Sequence, residues 1–233
     1  MTRWLLLLAM LSLVLGCGST PPKKSTAKKD KDKKPAAQQA PKEPEVTQDA
    51  FASYEAAMQA VVKGVADNKP TDISKAERWM GLQGAAIQGK LVETVKNPSA
   101  NIAERISACR VYGRMGNVAA PLMLELSKPE TKPDQLRLKA VECLGMPEHP
   151  EPAALNRLCD LVSDKDQRIR IAALRALRSV GKDAKKQRPE IVKQLQELLN
   201  SPTDDDAVRV AAKDALKEIE PRVGFSGMGK ADK

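Results

Sequence analysis

Side chains able to carry out catalysis or bind a metal are few and scattered in this 233-residue chain. Its one histidine, His149, excludes a site built from several histidines of one chain. A serine–histidine–aspartate triad also lacks convincing partners around this histidine. Glu148 and Glu151 flank His149 and are weak metal ligands at best, since prolines stiffen the loop and a solvated turn explains the same residues. The sequence therefore predicts no enzyme, no cofactor and no small-molecule substrate.

Four cysteines are the remaining reactive side chains. Cys109, Cys143 and Cys159 fall on apolar helix faces, where cysteine is common as a buried free thiol. A bridge between Cys143 and Cys159 is the alternative, because these residues belong to successive helices of one predicted hairpin. Cys17 differs from the other three because it directly follows an apolar segment near the N-terminus.

The first 17 residues have the charge and hydropathy of a bacterial export signal. Arg3 precedes an apolar run at 4–15, which is too short to span a bilayer because a spanning helix needs about 20 residues. The tetrapeptide at 14–17 resembles a bacterial lipobox, in which the cysteine is acylated and becomes the new N-terminus. This resemblance implies lipidation of Cys17, whereas an ordinary secretory signal with an incidental cysteine is the alternative.

The residues after Cys17 predict how the protein is anchored. Gly18 and Ser19 stand where lipoproteins of the inner membrane commonly have aspartate, so the resemblance implies the bacterial outer membrane, with the protein facing the periplasm. Residues 17–45 are rich in lysine, proline and alanine and cannot bury enough apolar surface to offset their ordering entropy. We therefore predict a signal peptide at 1–16 and a lipidated, disordered tether at 17–45.

The positive charge of the chain is divided among these segments. Of the net charge of +9, Arg3 contributes +1, the tether +4 and residues 46–233 the remaining +4. A mildly basic repeat region with few aromatic residues does not favour nucleic-acid binding. The local basic stretch between Arg168 and Lys193 is explained by a solvated helix face, or else by an acidic partner or an anionic envelope surface.

One pattern recurs along the rest of the chain at a spacing typical of helical solenoids. Four arginines, spaced by 32, 33 and 39 residues, are each followed three residues later by alanine and seven residues later by a large side chain. They are Arg105, Arg137, Arg170 and Arg209, with Ala108, Ala140, Ala173 and Ala212, and with Tyr112, Leu144, Leu177 and Leu216. The small and large residues share one helix face, which predicts close packing of neighbouring helices. We expect each arginine to pair with an aspartate of its own or the adjacent unit, as a structural contact.

Prolines ahead of and behind these arginines predict units of two helices joined by a short turn. Pro70 extends the pattern upstream to a fifth unit, in which Arg78 and Gly81 take the arginine and alanine positions. Capping-box spacing of Ser74 with Glu77, and of Asn101 with Glu104, agrees with the proposed helix starts. Gly181 suits a left-handed exit from a first helix.

Segments 166–181 and 206–216 resemble the pattern Asp-x-Val-Arg-x-x-Ala-x-x-x-Leu of the HEAT family, and more closely its short bacterial or PBS-lyase-type repeats. The resemblance covers about residues 70–220 and implies an all-α fold, an α-solenoid of stacked helical hairpins (an armadillo-type superhelix). The chain departs from the pattern at 146–152 and at 182–188, where either segment is a binding insertion or a slack turn. We expect a capping helix at 46–69, about four to five repeat units at 70–221 and a flexible tail at 222–233.

Family members usually present a curved surface to another macromolecule, so the resemblance implies a membrane-tethered scaffold that binds another envelope protein. We expect the binding surface on the second helices, where Arg157, Lys193 and Glu197 are the exposed candidates from helical phase. An envelope structural protein that binds cell-wall polymer or an anionic surface is one alternative. An accessory factor resembling the HEAT-type bilin lyases is the other, although those act in the cytoplasm and the export signal argues against it.

Overall fold

The computed structural model describes residues 46–202 and 205–221. The predicted signal peptide, the predicted tether with Cys17, and the predicted tail lie outside these residues. Within the two described ranges the chain forms eleven α-helices and three short 3₁₀ turns, and no strand. The helices are α1 (Tyr54–Ala66), α2 (Pro70–Gln83), α3 (Gln88–Lys96), α4 (Ile102–Gly113), α5 (Ala120–Leu126), α6 (Asp134–Leu144), α7 (Pro152–Leu161), α8 (Gln167–Val180), α9 (Lys182–Gln187), α10 (Ile191–Asn200) and α11 (Asp206–Ile219).

The helices form successive hairpins. The first helices of the hairpins are α2, α4, α6, α8 and α11, and each packs on the next one along the chain. The second helices are α3, α5, α7 and α10, and each packs on the first helix of the following hairpin. This arrangement confirms the predicted all-α solenoid of stacked helical hairpins.

The pattern that recurs in the sequence marks the core of the stack. The four alanines that follow the arginines are completely buried. The large side chains four residues further on, from Tyr112 to Leu216, are also buried. Alanine leaves room for the neighbouring first helix, while the large side chain fills the space one turn later, so each hairpin buries its apolar face only when another is stacked on it.

The first hairpin follows the same pattern, but in a different alignment from the predicted one. Gly81 is exposed, so it does not take the alanine position, whereas Ala76 and Met80 are completely buried. Ile73 then takes the arginine position, 32 residues before Arg105, which equals the spacing of the next hairpin. The predicted alignment on Arg78 was wrong because it followed the arginine and ignored the buried face.

The N-terminal helix is shorter than the predicted segment 46–69. Helix α1 begins at Tyr54, where the Ser53 side chain accepts a hydrogen bond from the Ala56 backbone N–H. Phe51 precedes the helix and packs edge-on against Trp79, with ring centroids 5.7 Å apart. In the last turn of α1, Gly64 is buried, whereas Val65 is 54% exposed.

Two of the predicted capping signals have different outcomes. Asn101 and Glu104 form the expected capping box at the start of α4. Ser74 lies inside α2, because this helix already begins at Pro70, and the predicted capping box with Glu77 does not form. Pro70 is suited to that first position, since its missing N–H would have had no intrahelical partner there.

The two departures from the repeat pattern differ in structure. Gly181 ends α8 with a positive φ of 61° and leads directly into the short helix α9 at Lys182–Gln187. This extra helix accounts for the longer spacing of 39 residues between Arg170 and Arg209. The other departure, at 146–151, has no helix of its own.

Close approach of neighbouring first helices depends on glycine at two helix ends. A Cβ atom on Gly113 would lie 2.5 Å from the Cys143 Sγ atom. A Cβ atom on Gly145 would lie 2.4 Å from the Ala176 Cβ atom and 2.7 Å from its Cα atom. The second contact involves backbone, which cannot rotate away, so α6 and α8 need glycine at position 145.

We expect Gly145→Ala to lower the free energy of unfolding by about 1–3 kcal/mol, because the added methyl group overpacks the α6–α8 contact. Gly81→Ala is the matched control: it adds the same methyl group inside α2, where nothing lies within 4 Å. This control should raise the stability by about 0.5–1 kcal/mol, since alanine favours a helix over glycine. Urea unfolding followed by circular dichroism measures both, and equal effects of the two substitutions would contradict the packing argument.

Candidate functional site

The repeated arginines bind the end of the preceding second helix. Nε of Arg105 donates to the Val95 carbonyl oxygen at 3.0 Å, and Nε of Arg137 donates to the Ser127 carbonyl oxygen at 3.0 Å. Arg170 and Arg209 donate through Nη1 to carbonyl oxygens just beyond α7 and α10, at 3.0 and 3.2 Å. The last carbonyls of a helix lack intrahelical partners and carry partial negative charge, so a guanidinium stabilises them.

This pattern adds a contact to the expected pairing of the arginines with aspartates. A backbone carbonyl is the partner that all four arginines share. Arg137 also contacts Asp164, and Arg209 contacts Asp206, so the predicted pairing with an aspartate is present at these two positions. The arginine therefore has a structural role in holding one hairpin to the next.

Between α5 and α7, a second arginine converges on the same helix end. Arg157 donates through Nε to the Ser127 hydroxyl oxygen at 2.9 Å and through Nη2 to the Ser127 carbonyl oxygen at 3.0 Å. The Ser127 hydroxyl in turn donates to the Leu124 carbonyl oxygen at 2.8 Å, and Ser127 is completely buried. Arg137 and Arg157 thus lie side by side at one buried serine, with their orientations set by its two oxygens.

A cavity of about 420 Å³ opens beside these two arginines. It lies where the loop after α5 meets the end of α7 and the loop that follows. Its lining is mainly charged: Arg137, Arg157, Asp160, Asp164, Lys165 and Asp166, with Pro129, Leu161 and Ser163. We call it the Arg157 cavity.

The carboxylates of the Arg157 cavity are paired. Asp164 contacts Arg137, which is only 8% exposed, through both carboxylate oxygens. Asp166 accepts from Arg168 at 2.7 Å, and Asp160 accepts from Arg188 at 2.5 Å. Within the described parts of the chain, by contrast, neither Arg157 nor Lys165 has a carboxylate partner.

The pKa values of the paired carboxylates reflect these contacts. Burial acts to raise the pKa of Asp164, but hydrogen bonds from Arg137 and from the Asp166 backbone, with the charge of Arg137, outweigh it and lower the pKa below its ordinary value of 3.8. The hydrogen bond from Arg168 is the main cause of the lowered pKa of Asp166. Both side chains therefore remain ionised at neutral pH.

The structure places the three predicted binding residues differently. Lys193 and Glu197 are exposed on α10, with Nζ and Oε1 3.8 Å apart, and neither lines the Arg157 cavity. The prediction that Arg157 is freely exposed was wrong, because this side chain is partly buried and bound to Ser127. Helical phase places Arg157 on the outer side of α7, but it does not reveal that the end of α5 lies within reach.

A buried carboxylate joins the first two hairpins, and sequence reasoning assigned it only to helix capping. Glu77 is 3% exposed and accepts from Arg110 at 2.9 and 3.0 Å and from the Ser107 hydroxyl at 2.9 Å. Arg114 lies 3.8 Å from the same carboxylate. In the first hairpin, Ile73 stands at the arginine position and cannot make the usual contact to a carbonyl oxygen. A glutamate four residues later was therefore the sequence signal for a different polar contact between these hairpins.

The three cysteines of the repeats are free and buried. Cys143 contacts Cys109 rather than Cys159: its Sγ atom lies 3.7 Å from the Cys109 carbonyl oxygen. Cys109 donates to the sulfur of Met123 at 3.6 Å. A hydrogen bond with Cys143, followed by burial, raises the pKa of the Cys109 thiol, and burial raises the pKa of Cys159 to about 11. The Cys109 and Cys159 thiols are therefore protonated and poorly nucleophilic at neutral pH.

His149 belongs to a contact between the turns of neighbouring hairpins. Its Nδ1 atom lies 3.2 Å from Asp183 at the start of α9, and its carbonyl oxygen accepts from the Asn117 side chain at 3.1 Å. Among residues 46–202 and 205–221, no group of three or more metal-ligating side chains comes together. In the same ranges, no helix combines the length and apolar character needed to cross a membrane.

Comparisons with known proteins agree with this architecture. The family model for HEAT repeats matches residues 89–178 and 119–217, which together exceed half of the chain. A similar solved structure is the complex of CpcE and CpcF of phycocyanin lyase from Nostoc sp. PCC7120, with 21% sequence identity and a TM-score of 0.53. The match covers 69% of this chain and 98% of that chain, and at this identity it concerns the fold alone. The comparison with curated proteins finds no match.

We expect Asp164→Asn to lower the free energy of unfolding by about 1.5–3 kcal/mol at pH 7, because a charged hydrogen-bond partner of Arg137 is lost. The pKa of Asp164 is lowered in the folded state, so its contribution is complete above 3.8 and is lost as the pH falls through the folded-state value. The difference in melting temperature between wild type and variant should therefore shrink below pH 3.8. A difference that stays constant from pH 7 to pH 2 would contradict this assignment.

Proposed function

The chain belongs to the HEAT-repeat family, and from this membership we propose that it is a scaffold that binds another protein through its second helices without catalysing a reaction. The observation that carries the proposal is the uninterrupted stack of hairpins from α2 to α11. Such a stack gives an extended surface to which each repeat contributes one helix, and this surface suits a macromolecular partner.

The charge of the second helices supports a protein partner. The second helices carry charges of both signs at their surface, as in the ion pair between Lys96 of α3 and Glu125 of α5 at 3.3 Å. Lys193 and Glu197 continue this mixture on α10 with side chains that are 80% and 65% exposed. A surface of mixed sign favours a partner with complementary charges over a polymer of uniform charge.

The similar solved structure supports the same general conclusion, because it is a complex of two proteins. Since the likeness concerns the fold, we propose no lyase activity for this chain. Binding to cell-wall polymer through the lysine-rich segment before residue 46 remains a separate hypothesis, which retention on purified cell walls would test.

The cellular location of the scaffold is proposed from the sequence. Acylation of Cys17 would attach the chain to the outer membrane, and residues 18–45 would then separate the anchor from the repeats. In this proposal the partner is another envelope protein that faces the periplasm. Anchoring restricts the search for such a partner to the neighbourhood of the membrane and raises its effective concentration.

We expect photo-crosslinking from Glu197 to trap a defined partner in intact cells, because this side chain is exposed on the second helix α10. A benzophenone amino acid at position 197 or 193 provides the crosslinker, and mass spectrometry identifies the product. The same amino acid at the exposed position Arg175 of the first helix α8 is the matched control. Equal trapping from positions 175 and 197 would reject the second helices as the binding surface.

We expect Cys17→Ala to release the protein from the membrane fraction, because the thiol that accepts the lipid is absent. Membrane flotation and the mass of the mature N-terminal peptide measure the loss of the anchor. Cys159→Ala, which removes a buried thiol of the repeats, should leave the protein in the membrane fraction. Retention of the Cys17→Ala variant would contradict lipidation at this residue.

A further inference from the structure

We propose that the Arg157 cavity binds the carboxylate of a glutamate or aspartate in an acidic segment of the partner protein. The proposal deepens the proposed function, on which it rests, by naming a contact site and the chemistry of the residue that enters it. It depends on three observations: the free donors of Arg157, the fixed position of its side chain and the charge balance of the cavity lining.

The first observation concerns the donors of Arg157. A guanidinium has five N–H groups, and two of those of Arg157 are bound to Ser127 through Nε and Nη2. In the described structure its Nη1 atom has no hydrogen-bond partner, although the side chain is partly buried and lines the cavity. The Nη1–Nη2 edge therefore keeps two parallel N–H groups, which is the geometry that a carboxylate accepts in a bidentate contact.

The second observation is that Arg157 is held in place before any ligand arrives. Ser127 is completely buried and fixes the guanidinium through both of its oxygens. Arg137 binds the same carbonyl oxygen and is itself held by Asp164, so it forms part of a rigid wall. Little side-chain entropy remains to be lost on binding, which favours affinity.

The third observation is the charge balance of the lining. Arg137, Arg157 and Lys165 carry three positive charges, and Asp160, Asp164 and Asp166 carry three negative ones. Arg188 and Arg168, from outside the lining, pair with Asp160 and Asp166, while Asp164 is paired with Arg137. The same two arginines also contact carboxylates outside the cavity, Glu190 at 3.2 Å and Asp134 at 3.8 Å. These partners leave the charges of Arg157 and Lys165 without a carboxylate in the described structure, which predicts affinity for an anion.

The same three aspartates select among anions. A singly charged, planar carboxylate matches the Arg157 fork and meets limited repulsion from the paired aspartates. A phosphate group carries up to two charges and would be repelled more strongly by them. We therefore assign the cavity to an acidic protein segment rather than to a phosphorylated one or to an anionic lipid.

The test uses the full chain purified in detergent and a fluorescein-labelled octaglutamate peptide, followed by fluorescence anisotropy at low salt. We expect saturable binding that weakens about tenfold or more in Lys165→Glu, because this exposed substitution reverses the unpaired charge beside Arg157. Arg157→Lys keeps the charge but loses the two parallel N–H donors of the guanidinium, and it should weaken binding by a similar factor. Lys193→Glu, on α10 and outside the cavity, is the matched control and should change the affinity by less than about twofold.

Three results would overturn the assignment. They are no saturable binding of octaglutamate, equal weakening by Lys193→Glu and Lys165→Glu, and displacement of the peptide by inorganic phosphate at lower concentration than by acetate. The backbone amide spectrum of Lys165→Glu, recorded by NMR, should match that of the wild type away from the cavity, which excludes a folding defect. If octaglutamate does not bind but a partner is trapped from position 197, the cavity assignment is rejected and the scaffold function is not. If octaglutamate binds but no partner is trapped, the result counts against the scaffold function.

Discussion

The contact on which the stack depends is the hydrogen bond from a first-helix arginine to the last carbonyls of the preceding second helix. Those carbonyls have no partner in their own helix, and the stack carries them into partly buried positions where an unpaired group is costly. Arg105, Arg137 and Arg209 each satisfy a carbonyl at such a helix end, and Arg170 binds the Asp164 carbonyl in the loop just beyond α7. The alanine three residues later brings the next first helix close, so the polar and the apolar contact between hairpins are made on consecutive turns of one helix.

Much of the fold could be predicted from the sequence, because the repeating arginine and alanine mark both of these contacts directly. The predicted repeat alignment of the first hairpin was wrong because its arginine position is occupied by Ile73, which cannot make the polar contact. The nearby Arg78 was taken for the repeated arginine in its place. The burial of Ala76 and Met80 identifies the true alignment, and this burial depends on which face of α2 packs against α4. Helical phase indicates that a face is apolar, but it does not state which neighbour covers it.

The candidate site was less predictable, because its residues come together only through stacking. Arg157 and Ser127 are 30 residues apart, and their contact requires that α7 lie against the end of α5. Charge patterns in the sequence also do not reveal which carboxylates are already paired. Asp160 is a case in point, since its partner Arg188 follows the inserted helix α9, whose presence no repeat pattern predicts.

Glu77 has a consequence for how a chain of this kind can grow. Each successive hairpin is joined to the one before it by an arginine and a carbonyl, a contact that any similar hairpin can offer, so duplication of an internal hairpin would produce compatible neighbours on both sides. The first hairpin makes the same contact, from Arg105 to the Val95 carbonyl oxygen, but it is also joined through the buried carboxylate of Glu77, which requires Ser107 and Arg110 opposite it. A copy inserted between α3 and α4 would separate that matched set, so evolutionary lengthening of the solenoid is confined to its interior and its far end.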